Sequence, residues 1–99
     1  MQLDLKNYQQ DFGSELICPH CENHRLHHTC VEVFERGEDA ETGTHVVVSA
    51  DKVVHDANMK DNPSARRHGL LIRLGCENCG KESVLTIAHH KGGTLLDIE

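Results

Sequence analysis

LGCENCGKES, at positions 74–83, sets two thiols, Cys76 and Cys79, in a short turn behind the apolar run LLIRLG (70–75). A second turn of the same kind, CPHCE at 18–22, carries Cys18 and Cys21 behind a shorter apolar run ending in Ile17. Two thiols are half of a tetrahedral donor set, so each turn calls for the other, and the spacing predicts one site made of Cys18, Cys21, Cys76 and Cys79. Two residues between the thiols let backbone N–H groups point at the sulfurs and disperse thiolate charge. The expected cofactor is one Zn2+ per chain. An iron-bearing site or an iron–sulfur cluster is the alternative, because four thiolates alone do not choose the metal.

Such a chain needs a staple. It has 99 residues, no Trp, and only Tyr8, Phe12 and Phe34 as aromatics, so its core rests on Val, Leu and Ile, and burial alone leaves a thin margin. The 5 cysteines are an odd number, and no charged region followed by an apolar one opens the sequence, which argues against a secreted disulfide scaffold. A soluble, cytoplasmic protein is expected, and with no apolar run near bilayer length, no membrane association.

From Leu16 onward the pattern is that of strands. RLHHTCVEVFERG (25–37) alternates and closes on Gly37, THVVVSA (44–50) returns, and LLIRLG, SVLTIAHH (83–90) and TLLDIE (94–99) follow. Between them GEDAETG (37–43) reads as a solvated hairpin tip. Residues 51–69 lack a period and contain the turn signal DNPS, so they are expected to be a loop insertion. Residues 1–15 are expected to be an arm or a short helix, with Leu5, Tyr8 and Phe12 at helical spacing, and 16–99 a single domain.

CPHC and CENCG resemble the two knuckles of the zinc-ribbon class, whose usual pattern is C-P-x-C-G twice. The resemblance covers the knuckles and their flanking strands. It implies a mainly β fold, a small antiparallel sheet with a long hairpin and loop insertion between the knuckles, used as a platform to bind protein or nucleic acid and rarely catalytic alone. Glu22 stands where the pattern has glycine, and Glu77 where it has proline.

Four thiolates leave a metal no open position for water, and no H-E-x-x-H, G-x-S-x-G or phosphate-loop motif is present, so the chain is not expected to be an enzyme. Cys30 with His20, His24, His27 and His28 offers a second metal site, although a small buried apolar role for Cys30 is the plainer reading. The remaining histidines, including His45, His68 and His89, read as surface or turn residues.

Charge points to partners. The formal charge is −6, and Glu35, Glu38, Asp39 and Glu41 cluster with Glu32 around the hairpin tip, which suits a protein partner with a basic surface, such as a nucleic-acid-associated protein that this chain adapts or inhibits. The alternative is a nucleic-acid partner held by Arg66, Arg67 and Arg73, though the acidic balance and scarce aromatics weigh against it. A homodimer through an edge strand, with VVV at 46–48 as its place, is a further expectation.

Overall fold

The structure, a computed structural model, describes residues 5–9 and 13–99, and side chains from residue 15 onward. Among these, every regular element is a strand: β1 (Leu5–Gln9), β2 (Gly13–Leu16), β3 (Leu26–Glu35), β4 (Thr44–Ser49), β5 (Lys52–Asp56), β6 (Gly69–Cys76), β7 (Glu82–His90) and β8 (Gly93–Ile98). β1 and β2 pair as a separate antiparallel hairpin with Leu5 opposite Leu16. The short helix considered for 1–15 therefore does not form over 5–9, where cross-strand pairing takes the backbone donors instead. Phe12, part of that helical spacing, lies outside the described residues.

The other six strands make one antiparallel sheet in the order β5-β4-β3-β6-β7-β8. It is two meanders, β3–β4–β5 and β6–β7–β8, joined side by side through β3 and β6. The mainly β fold is as expected from the sequence, and the insertion between the knuckles is the first meander. No described helix is long and apolar enough to cross a membrane.

Two expectations need correction here. Residues 51–69 are not all loop, because Ala50 and Asp51, with φ of 48° and 66°, form a two-residue turn that folds β5 back onto β4, with Ser49 opposite Lys52. β4 is consequently no edge. It is paired to β3 on one side and β5 on the other, so the valines at 46–48 offer no free backbone, and the outer edges belong to β5 and β8.

The register sets one face of the sheet. Phe34 lies opposite His45 on β4 and Gly69 on β6, and it is fully buried. Residues 57–68 form a lid that rests on its neighbour Gly69: a Cβ there would run into Asn62 and Pro63, so only glycine lets the lid sit so low. The lid is built from side chains capping their own backbone. Asp56 accepts from the Asn58 amide at 2.8 Å, Asn58 from Lys60 at 2.9 Å, and Asn62 from Ser64 at 2.9 Å. Arg36 holds it down, its guanidinium donating to the carbonyls of Arg67, Ala40 and Ser64 at 3.2, 3.1 and 2.9 Å.

On the same face, charges alternate across five strands. Asp56 on β5 meets His45 Nδ1 at 2.9 Å, His45 Nε2 meets Glu32 on β3 at 2.9 Å, and Arg73 on β6 lies 3.8 Å from Glu32 and 3.0 Å from Glu82 on β7. His45, expected at the surface, is buried and stacks on Phe34 with ring centres 4.4 Å apart. Glu32 is buried too, so it is not among the acids a partner could reach. Burial opposes protonation of His45, but the Glu32 and Asp56 carboxylates outweigh it, and its pKa is raised.

A raised histidine pKa contributes stability that is complete below the unfolded value, about 6.5, and is lost as pH rises through the folded value. Urea unfolding of the native chain should thus show a loss of stability above about pH 6.5 that His45→Gln removes. Parallel pH profiles for the two proteins would refute this origin.

Candidate metal centre

Each knuckle is a tight turn with the same hydrogen-bond pattern. The Cys18 amide donates to Asn23 O at 2.8 Å and the Glu22 amide to Cys18 O at 2.9 Å; in the second turn Cys76 donates to Lys81 O at 3.3 Å and Gly80 to Cys76 O at 3.0 Å. Glu22 and Gly80 are equivalent, each directly after the second thiol of its turn, and their φ angles are 65° and 73°. The turn demands a left-handed residue there. Glycine meets the demand freely, whereas Glu22 meets it against its Cβ.

The departure at Glu77 has a different cause. Its backbone N–H donates to Arg25 O at 3.0 Å, tying the second knuckle to the chain that leaves the first, and a proline has no N–H to give. Side chains add to the same seam, with Glu77 3.3 Å from His27 and 3.9 Å from Arg25. A bulge between His28 and Cys30 shifts the β3–β6 register, leaving Thr29 as the extra residue just before the strands reach the thiols.

The two turns bring all four sulfurs together. Cys18 Sγ is 3.9 Å from Cys79 Sγ, Cys21 Sγ is 3.6 Å from Cys76 Sγ, and the four atoms all lie within 4.8 Å of one another. A tetrahedral ion bound ~2.3 Å from each sulfur requires sulfur–sulfur edges of about 3.8 Å. The donor set fits one metal ion. Cys18 and Cys76 are buried, and the His20 amide points at Cys18 Sγ from 3.4 Å, a donor placed to disperse thiolate charge.

The thiols already differ as acids. Cys21 is pulled down to about 6, chiefly by the Asn78 side chain and then by the Asn23 amide. Cys79 is pushed up to about 11: the Lys81 amide lowers it, but burial and the neighbouring Cys76, Cys21 and Cys18 sulfurs together prevail. One thiolate forms easily and makes the next harder to form, which is the condition a cation relieves.

No second cluster of metal donors exists among the described residues. Cys30 is half-buried between Ser49 and Arg73 in the sheet register, while His24 pairs with Glu15 at 2.9 Å and His20 Nε2 lies 3.2 Å from Glu82 O. The acidic and basic groups read from the sequence as separate surfaces meet one another. Arg66 forks onto Asp39 at 2.6 and 2.8 Å with Glu38 at 3.8 Å, Glu35 lies 2.9 Å from His68, and Arg73 is held by Glu32 and Glu82. Glu41 is exposed, and the Arg67 guanidinium has no ion-pair partner among the described residues. Arg36 and His45 carry structural roles that sequence reading missed, because nothing in their local spacing marks them.

The chain matches no protein-family model, no curated protein and no solved structure.

The left-handed turn residue gives a direct test. Glu22→Gly should stabilise the metal-loaded protein by about 0.5–1 kcal/mol in urea unfolding, and Gly80→Ala should destabilise it by about 1 kcal/mol. A loss of stability in Glu22→Gly would show that its side chain contributes more than its backbone costs.

Proposed function

We propose that the chain is a non-enzymatic, zinc-stapled β platform that binds another protein by adding that protein's strand to the outer edge of β5. The sulfur spacing suits a single tetrahedral ion, whereas an iron–sulfur cluster would hold its thiolates farther apart around its own atoms, and among single ions zinc is the usual occupant of a closed four-cysteine structural site. With four thiolates as ligands the ion has no site for water or substrate, so its role is to hold the fold.

The observation that carries the binding reading is β5 itself. All of its residues are exposed, its outer edge pairs with no strand among the described residues, and Val53 and Val54, on opposite faces, are 66% and 58% exposed. Natural sheets normally blunt such an edge with charge, proline or a covering segment. Here Lys52, His55 and Asp56 supply charge and polarity at the two ends, but the centre is Val53–Val54, β-branched and apolar on both faces, where an extended partner gains backbone hydrogen bonds and side-chain contacts together. Val48, opposite Val53, continues the apolar surface onto β4. A net charge of −6 favours a basic partner, in keeping with a nucleic-acid-associated protein that this chain adapts or inhibits. Direct nucleic-acid binding draws less support, since Arg66 and Arg73 are committed to carboxylates.

Elemental analysis of the purified protein should find one zinc per chain, and a strong chelator should abolish the β-sheet circular dichroism signal. Iron in place of zinc would overturn the choice of ion, and a fold indifferent to chelation would overturn the staple.

For the edge, a photo-crosslinking residue at position 53 should trap another polypeptide in the cell. Val54→Lys should reduce that adduct about tenfold while leaving stability within about 0.5 kcal/mol, as expected of an exposed site. Adducts only between copies of this chain would replace the reading with a homodimer. Adducts to nucleic acid alone would replace it with the other alternative.

A further inference from the structure

At the end of β6 away from the thiols, a cavity of about 360 Å3 opens between the lid and the β7–β8 turn. Arg66, Arg67, His89, His90 and Lys91 line it, with Glu38 as its one acid, so a chain of net charge −6 gathers cations here. The walls are fixed. Ser64, buried, accepts the Arg67 amide at 3.0 Å and donates to His89 O at 2.8 Å, and the His89 amide donates to His68 O at 3.0 Å. Lys91 and Gly92, with φ of 49° and 80°, form the two-residue turn that presents the lysine.

Of the three permanent cations, Arg66 is already forked on Asp39. Arg67 and Lys91 have no ion-pair partner among the described residues, and Arg67 Nε is buried without an acceptor. A half-buried guanidinium held in that state is under-compensated, and an anion entering the cavity would relieve it.

We propose that this cavity binds a dianionic phosphate group. Two uncommitted cations on separate walls, with two imidazoles beside them, match a doubly charged acceptor with three free oxygens better than a single carboxylate. The volume lies at the lower end of small-molecule sites, so it admits the phosphate of a small ester as well as inorganic phosphate. Arg66 adds a control. The Glu38 and Asp39 carboxylates occupy its guanidinium as a phosphate would, so the acidic tip competes with the ligand. This site is separate from the β5 edge and does not depend on the binding assigned there.

The test is an NMR titration of the metal-loaded full chain with inorganic phosphate and with a sugar phosphate. Both should give saturable shifts at the amides of Arg67, His89, Lys91 and Gly92. A tighter sugar phosphate identifies an ester as the ligand, and equal affinities identify free phosphate. Arg67→Gln should weaken binding about tenfold and Lys91→Gln about threefold. Glu38→Gln should tighten it about threefold, a gain that damage to the fold would not produce. Lys91 sits on an exposed turn, so its variant keeps the test valid if Arg67→Gln fails to fold. The absence of saturable shifts with either probe, or shifts unchanged in Lys91→Gln and Glu38→Gln, would overturn the proposal.

Discussion

The closure of two knuckles separated by residues 22–75 is the constraint on which the sheet depends. Bringing Cys21 to Cys76 closes a long loop, and the entropy lost in doing so is recovered only if the four sulfurs are held at once. The ends so joined are structurally central. β6 ends in Cys76 and lies in the middle of the sheet, and β3 starts just after the first knuckle and pairs with it along nearly its whole length, so an ion held by the four sulfurs would fix the seam between the two meanders. Among the described residues few large side chains are fully buried, Phe34 and Ile98 chief among them, which raises the weight of that seam in the stability of the sheet.

Away from the metal, polar groups take over work that apolar volume does in larger domains. Arg36 replaces a packed layer by gripping three carbonyls, and the lid it holds rests on Gly69, opposite Phe34 in the sheet. The acidic hairpin tip is pinned to the same lid by the fork between Asp39 and Arg66, so what reads as two opposed charged surfaces is largely one internal arrangement. Exposed ion pairs of this kind add little stability each. Their effect is on position, since they settle where the tip and the lid lie.

Strands β3, β4, β6, β7 and β8 and the clustering of the four thiols were legible because each depends on local pattern: alternation, turn residues and a spacing that metal chemistry requires. β5 was not. Its turn, Ala50–Asp51, takes left-handed angles without the glycine or asparagine that normally announces them, and Val53–Val54 is too short a run to stand out. His45 and Glu32 were misplaced for another reason. Their burial follows from a registry of β4 and β5 against β3 that no window of sequence contains, and a buried histidine between two carboxylates looks locally like any exposed one. The lid was half legible: DNPS announced its turn, but Arg36, its anchor, lies on the far side of the hairpin.

The alternating row Asp56, His45, Glu32, Arg73 and Glu82 has a bearing on errors as well as on the native state. A sheet rich in valine and leucine offers its strands many nearly equivalent alignments. Sliding one strand by a single residue carries its side chains to the opposite face. In this protein the slip would take a charge out of the row and set it among valines and leucines, leaving its former neighbours facing like charges. The row thus works as a proofreading mark for alignment, penalising one-residue slips of the inner strands.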